Sequence, residues 1–304
     1  MSTSSVAKDA VEFTTGINGF ETVILHQKPH TSVQVYLYGA HVTSWKNERE
    51  ELLFVSSKAI FAPPKSILGG ISVSFPLFPD KDALAAFGFA RNRVWTIDSG
   101  GSSYLPNVNN EVSVDLLLSP TEKDLKIWPH RFEYRLRVAV RPGGELVLTS
   151  RIRNTNPDGK SFMFAFACPA YFSVSDINDV RVEGLETLDY LDNMKNEERC
   201  TDQGDALAFE SLESEIDMTY LSTPTKIKIR DHKKRRTLVI QKDGLPDAVV
   251  WNPWDKNATN MAGFGKNEYR HMLCVGAARM ENPVTLKPGE EWTVKLQLSA
   301  ANLS

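Results

Sequence analysis

Two glycine-containing segments hold residue types that suit an anionic ligand. The first contains the pair Gly69-Gly70, and the second, Gly88-Phe89-Ala90-Arg91, ends in an arginine and is soon followed by Arg93. Glycine lets the backbone approach a ligand closely, and a guanidinium matches the geometry of a phosphate or carboxylate. The same pattern fits a glycine-rich turn with surface arginines, so both interpretations stay open. No helix is predicted after these glycines, so no phosphate-loop or dinucleotide signature fits, and we expect no cofactor.

Charge and hydropathy limit the classes of partner. The net charge of the 304 residues is -3, and the one basic run, residues 233–236, lies between two strand-like segments as a solvated hairpin turn would. A nucleic-acid footprint needs a basic face instead. Residues 1–10 contain no apolar run, and no stretch approaches the ~18 apolar residues of a membrane span. We therefore expect no nucleic-acid partner, no membrane partner and a cytoplasmic location.

The three cysteines do not form a recognisable metal or disulfide pattern. Cys168, Cys200 and Cys274 are too few and too widely spaced for a disulfide framework or a zinc site. Two of them lie inside apolar runs, which indicates buried thiols. The sequence predicts no metal site.

The elements that must position these residues are mostly strands. Apolar side chains alternate with charged ones over residues 132–140, and the turn Pro142-Gly143-Gly144 leads into a return strand at 146–152. Short helices are predicted at 119–122 and 257–262. Further strands are predicted at 20–27, 33–37, 42–46, 51–55, 93–98, 112–118, 161–168, 225–230, 236–241, 247–251 and 291–299. Many short strands with turn signals, no linker and no repeat predict an all-β antiparallel sandwich, with one domain over residues 1–304.

A series of segments resembles the plant-type glucose-6-phosphate 1-epimerases of the aldose 1-epimerase family. They cover nearly the whole chain and comprise Lys58-Ala59-Ile60-Phe61 through Phe75-Pro76, Gly88-Phe89-Ala90-Arg91-Asn92, Lys126-Ile127-Trp128-Pro129-His130, Ser150 to Thr155, Ser173 to Ile177, Arg181 to Tyr190, Gly244 to Trp254 and Leu286 to Trp292. The resemblance implies an antiparallel β-supersandwich of the galactose mutarotase type whose cleft binds a hexose phosphate. It also implies that one side chain protonates the ring oxygen while a carboxylate removes the C1 hydroxyl proton, which is general acid and base catalysis.

At the positions that carry this chemistry, the sequence departs from the family pattern. The histidine that precedes Gly-Phe-Ala-Arg is Phe87, the histidine expected as general acid is Pro169, and the glutamate expected as general base is Gly276. The arginine of an Arg-Gly-Gly motif is Leu68, whereas Arg91 is kept. The resemblance therefore implies a cleft without the usual acid and base and with one anion contact fewer.

A few side chains remain that the resemblance places near the cleft. Tyr171 keeps the family's tyrosine position and could donate a hydrogen bond, although a strand tyrosine often only packs. Cys274 lies two residues from Gly276, so the thiol and the position of the missing carboxylate share a face if the segment is a strand; an inert buried thiol is the alternative. Trp251 and Asn252 are expected to form a wall and a polar rim.

Three functions stay open on the sequence. The exchange of polar groups for Phe, Leu and Pro favours a repurposed cleft that isomerises, cyclises or simply binds a less polar small molecule. A non-catalytic scaffold or interaction protein is the second, and a residual glucose-6-phosphate 1-epimerase is the third. The losses argue against the third, because one oriented acid or base typically contributes about 10²- to 10⁴-fold in rate.

Overall fold

The computed structural model describes residues 10–77, 87–99, 110–209 and 214–302. These residues form 21 strands and two α-helices. The strands are β1 Val11–Thr15, β2 Glu21–Gln27, β3 Thr31–Tyr36, β4 His41–Lys46, β5 Ser74–Leu77, β6 Thr96–Ile97, β7 Val112–Leu118, β8 Phe132–Val140, β9 Leu146–Asn154, β10 Phe162–Cys168, β11 Tyr171–Ser173, β12 Val180–Glu183, β13 Asp189–Asp192, β14 Glu198–Thr201, β15 Leu207–Ala208, β16 Ile216–Tyr220, β17 Lys226–Asp231, β18 Arg236–Asp243, β19 Asp247–Asn252, β20 Met272–Leu286 and β21 Glu291–Asn302. The helices are α1 Glu122–Ile127 and α2 Trp254–Asn260.

The strands form three antiparallel sheets. A four-stranded sheet has the order β1-β2-β3-β4, and a nine-stranded sheet has the order β15-β12-β17-β18-β21-β9-β8-β7-β6. The eight-stranded sheet has the order β14-β13-β16-β19-β20-β10-β5, with β11 also paired to β20. The predicted antiparallel all-β fold is confirmed.

The largest cluster of buried apolar side chains draws on all three sheets. Phe75 lies at its centre, with edge-on ring contacts to Trp128, Phe132, Tyr134 and Phe164 at centroid distances of 5.7, 5.0, 5.3 and 5.1 Å. Alternation along β10 and β20 sends every second side chain into this core and leaves the others on the opposite face. That opposite face of the eight-stranded sheet carries Tyr171, Cys274 and Trp251 of the predicted site residues. The assignment of one domain stays a prediction.

Most of the predicted strands occur within a residue or two of the expected bounds. Residues 51–55 form only isolated bridges, and 93–98 contributes only the two-residue β6, because these segments cross between sheets. The predicted helix near 119–122 is α1, whose Thr121 Oγ1 accepts a hydrogen bond from Asp124 N at 3.3 Å in a capping box. The second helix begins at Trp254, three residues before the predicted start. The longest strand, β20, was not predicted.

The basic run at 233–236 forms the turn between β17 and β18, as predicted, but it is not fully solvated. Arg236 is 4% exposed and pairs with Glu50 and Asp231 at 2.5 and 3.6 Å. Lys234 also reaches Glu50, at 2.7 Å. The last arginine of the run is thus part of a buried ion-pair network.

Candidate functional site

A row of four side chains crosses the eight-stranded sheet on the face away from the main core. Register pairs Tyr171 of β11 with Cys274 of β20, Cys274 with Trp251 of β19, and Trp251 with Asp217 of β16. Directly paired residues of antiparallel strands point to the same face, so the four side chains lie side by side. We call these four residues the cleft row. The sequence analysis predicted three of them.

Tyr171 and Trp251 of the cleft row pack against an apolar cluster, and burial keeps Tyr171 and Cys274 protonated. The Tyr171 side chain lies beside that of Cys274, and its ring meets that of Trp251 edge-on at 5.9 Å. Burial raises the pKa of both Tyr171 and Cys274 well above the ordinary values, and the charge of Asp217 raises them further. At neutral pH, Tyr171 can therefore donate a proton or hydrogen bond, whereas Cys274 is no thiolate nucleophile.

Next to the cleft row, two strands approach unusually closely at Pro169 and Gly276. The register that pairs Cys168 with Ala277 places Pro169 opposite Gly276. A Cβ atom added at Gly276 would lie 2.6 Å from Pro169 Cα and 2.9 Å from Cys168 O. Both contacts are to backbone, so no rotamer change relieves them. The position where the resemblance expects a glutamate has no room for any side chain.

The Gly69-Gly70 pair serves a close crossing of chain segments. Added Cβ atoms would lie 2.4 Å from Phe54 O at Gly69 and 2.2 Å from Val42 O at Gly70, and both glycines have positive φ. His41, which is 1% exposed, is 2.6 Å from Gly69 O through Nε2. Of the two interpretations left open, the geometry here matches a structural turn.

Leu68, beside these glycines, packs against a small apolar cluster that includes Tyr171, Trp251 and Met272. It is half-buried, as are Tyr171 and Trp251. The structure thus brings Leu68 to one wall of the cleft row, where the resemblance expects an arginine.

Arg91 and Phe87 lie together at the Tyr171 end of the row. The Arg91 guanidinium lies 4.9 Å from the Phe87 ring centroid, and its Nε donates to Ser66 Oγ at 2.5 Å. Burial lowers the pKa of Arg91, and Tyr171 is the ionisable group that counteracts this most. Within the described part of the chain, no carboxylate pairs with Arg91. Arg93 differs, because its Nε donates to Asp124 Oδ1 at 2.7 Å and so anchors α1.

Asn252 does not form the predicted polar rim. Its side chain is fully buried, and Nδ2 donates to the carbonyl oxygens of Tyr269 and Met272, both at 2.9 Å. Its Oδ1 accepts from Trp254 N at 2.9 Å. All three contacts are to backbone, so Asn252 fixes the start of α2. The polar contact at this end of β19 comes from Trp251 instead, whose Nε1 donates a hydrogen bond to Glu215 Oε1 at 2.9 Å.

Sequence reasoning missed Asp217 and His41. Strand β16 was not predicted, although apolar Ile216, Met218 and Tyr220 alternate there with Asp217, and that alternation is the signal that could have exposed the carboxylate. Asp80 and Asp82, whose place in the sequence after the Phe75-Pro76 segment would suit the mouth of a cleft, lie outside the described residues. His130 packs edge-on against Trp128 at 4.9 Å, a structural role.

No metal-binding group of three or more His, Cys, Asp or Glu side chains occurs in the described ranges. Within the same ranges, no helix has the length and apolar character needed to cross a membrane. A cavity of about 420 Å³ lies away from the cleft row, among turns that include Lys28, Arg49 and Lys234.

Comparison with known proteins gives the family. The model of the aldose 1-epimerase family matches residues 21–299. The chain belongs to the aldose 1-epimerase family. A protein of Cenchrus ciliaris named "Putative glucose-6-phosphate 1-epimerase" is 57% identical over 284 residues, which are 93% of this chain and 85% of that protein. An Escherichia coli protein of the same name is 28% identical over 261 residues, 84% of this chain and 82% of that protein.

Solved structures support the fold of this aldose 1-epimerase family member. The crystal structure of a "putative mutarotase" from Salmonella typhimurium has a TM-score of 0.81 at 22% identity and covers 97% of this chain and 98% of its own. The structure of a galactose mutarotase-related enzyme from Lactobacillus acidophilus has a TM-score of 0.68 at 17% identity, and the match covers 91% of this chain and 97% of that enzyme. The predicted β-supersandwich of the galactose mutarotase type and the family resemblance are both confirmed.

Proposed function

We propose that this aldose 1-epimerase family member binds a small organic molecule less polar than a hexose phosphate in the cleft row, and isomerises or cyclises it there. The observation that carries the proposal is the close approach of Gly276 to Pro169, which leaves no room for a side chain where the resemblance expects the base, while Pro169 stands where it expects the acid. If no reaction takes place, the same cleft simply binds the molecule. A cytoplasmic location is part of this proposal.

The surroundings of the cleft row support a ligand with an apolar body. Leu68 and Trp251 pack against the same apolar cluster as Tyr171. The Phe87 ring, which is 59% exposed, adds an aromatic surface next to Arg91. Apolar and aromatic walls with few polar groups are typical of sites for organic molecules. Leu68 and Phe87 offer no polar atom of their side chains to the hydroxyl groups of a hexose phosphate, and each unpaired buried polar group costs free energy.

Arg91 supports the presence of one anionic group on the ligand. A half-buried guanidinium that lacks a carboxylate partner among the described residues favours an exogenous anion. Tyr171, which stays protonated, supplies a hydrogen-bond or proton donor nearby. An aromatic carboxylate combines the expected anion and the expected apolar body.

Glucose-6-phosphate 1-epimerase activity is the second candidate, because the relative from Cenchrus ciliaris that bears that name is 57% identical over most of the chain. It would need an acid and a base other than those of the family motif. The two candidates differ in the ligand they predict.

A thermal-shift comparison tests the proposal with glucose 6-phosphate, inorganic phosphate and naphthoic acid as probes. We expect naphthoic acid to stabilise the wild type most, with about 2.7 kcal/mol at a hundredfold excess over Kd. Trp251→Ala should lose this stabilisation, and Trp251→Phe should keep most of it. Stabilisation by glucose 6-phosphate alone would refute the proposal and favour the epimerase. Stabilisation by none of the probes would favour a scaffold.

A further inference from the structure

Asp217 is a half-buried carboxylate at the end of the cleft row, and it lacks the partner that such a group usually has. Asn193 Nδ2 donates to its Oδ1 at 2.8 Å, which leaves Oδ2 without a hydrogen-bond donor among the described residues. No lysine or arginine of the described ranges forms an ion pair with it. Carboxylates are rarely buried unpaired, because desolvation of the charge is costly. An oriented carboxylate with a free oxygen can accept a proton from a bound molecule.

We propose that Asp217 is the proton-accepting base of the cleft row, acting on a carbon acid that lies against Trp251. The proposal rests on the proposed function, because it requires an apolar ligand in that cleft. Its geometric basis is the register that pairs Asp217 directly with Trp251 and holds both side chains on one face. Directly paired residues have Cβ atoms about 4.5–5.5 Å apart, so a flat ligand against the indole would lie next to the carboxylate.

The electrostatics of the neighbouring elements suit this role. Burial raises the pKa of Asp217, the Asn193 amide lowers it and the charge of Asp192 raises it. A carboxylate with a raised pKa is a stronger base once ionised. The ionisable groups that face it are Asp192 at the end of β13, Glu215 beside β16, Cys274 on β20 and Tyr171 on β11. None of these is a cation, so nothing in this set holds the carboxylate in a permanent ion pair.

The step balances without a co-reactant. In an isomerisation, the carbon–hydrogen bond breaks, its proton moves to Asp217, and the electron pair enters the conjugated system of the ligand. Asp217 then returns its proton to a second atom of the ligand, which completes a net proton shift. If the Tyr171 hydroxyl supplies that proton instead, the tyrosinate regains one from solvent and Asp217 releases its own to solvent. Protonated Tyr171 at the opposite end of the row fits the donor role.

A carbon acid of known chemistry tests the proposal without knowledge of the natural substrate. The probe is 5-nitrobenzisoxazole, a flat apolar molecule: a base removes its ring proton, a carbon–nitrogen triple bond forms, the nitrogen–oxygen bond breaks, and a coloured phenolate leaves. We expect the wild type to accelerate this reaction and Asp217→Asn to lose about 10²-fold of the protein-catalysed rate. The wild-type rate should rise with pH through a midpoint above the ordinary aspartate range.

Controls separate this proposal from the proposed function. Asp243→Asn, which removes an exposed carboxylate at the end of β18 in the other large sheet, should keep the wild-type rate. Asp217→Glu should recover part of the rate, and melting curves should show that all variants fold. Binding is measured by thermal shift with 5-nitrobenzotriazole, a similar flat molecule that is not eliminated. An unchanged rate in Asp217→Asn overturns the role of Asp217. If the wild type binds this analogue but does not accelerate the reaction, only the role of Asp217 is overturned. If the wild type neither binds the analogue nor accelerates the reaction, the apolar cleft is overturned as well.

Discussion

Replacement of Gly276 by alanine should destabilise the protein, although alanine is the smallest side chain that can be added. The new Cβ would lie 2.6 Å from Pro169 Cα, 2.9 Å from Cys168 O and 3.1 Å from Pro169 N. All three atoms belong to the backbone of a neighbouring segment, so relief requires a strand to move. Overpacking of this kind costs about 1–3 kcal/mol, and a loss of about 2 kcal/mol in a chain of this size lowers the melting temperature by about 4 °C.

Urea unfolding and thermal melting measure this effect, with Gly204→Ala as the matched control. Gly204 has an ordinary backbone conformation, and an added Cβ would meet only Asp202 Oδ1, at 3.4 Å. We expect Gly204→Ala to change the free energy of unfolding by less than about 0.5 kcal/mol. Gly276→Glu should be at least as destabilising as Gly276→Ala and should not create epimerase activity. Equal stability of Gly276→Ala and Gly204→Ala would show that the strands are farther apart than described, and the site would then have room for the family's glutamate.

Four other measurements follow from the structure. Burial lowers the pKa of His41 from 6.5 to about 4. The neutral imidazole therefore contributes about 3 kcal/mol of stability that is fully present above pH 6.5 and should be lost as the pH falls through about 4. Urea unfolding at several pH values should show this pH dependence in the wild type and not in His41→Gln, whose side chain cannot titrate. Asn252→Ala should lower the free energy of unfolding by about 3 kcal/mol, because three buried backbone groups lose their partner. Calorimetric titration with naphthoic acid should show at least about tenfold weaker binding for Arg91→Ala, an intermediate value for Arg91→Lys and no change for the distant Arg49→Ala. In a coupled assay, the wild type should not accelerate glucose 6-phosphate anomer exchange appreciably, and a rate comparable with that of an intact family member would contradict the absence of the acid and base.

Local sequence patterns were sufficient for most of the fold and insufficient for the strands that complete the site. Residues 132–140 alternate cleanly and pair as β8, since one face packs in the core and the other carries ion pairs such as Arg137 with Asp115 at 2.8 Å. Strand β20 contains glycine, adjacent alanines and a proline, which weaken any strand pattern. It becomes a strand because β10 and β19 pair with its two edges. Tertiary pairing overrides local propensity there.

The site itself depends on register, which no local pattern contains. Tyr171, Cys274, Trp251 and Asp217 are far apart in sequence and become neighbours only because four strands pair with one particular alignment. A shift of one residue in β16 would turn Asp217 into the core and bring an apolar neighbour to the cleft. Residue types could therefore nominate Tyr171 and Cys274 through a family motif, but they could not identify Asp217.

The same dependence on register links the two departures at Pro169 and Gly276. Because Pro169 lies opposite Gly276 of β20 in the neighbouring segment, the space available at 276 is set by the backbone of Cys168 and Pro169. A side chain at 276 requires β11 to lie farther from β20, and the close approach seen here requires glycine. The glycine at 276 and the position of the Pro169 backbone therefore depend on each other. A glutamate restored at 276 alone should leave its Cβ in conflict with the backbone of Pro169 and Cys168, so a return of that carboxylate requires a shift of the β10–β11 segment as well.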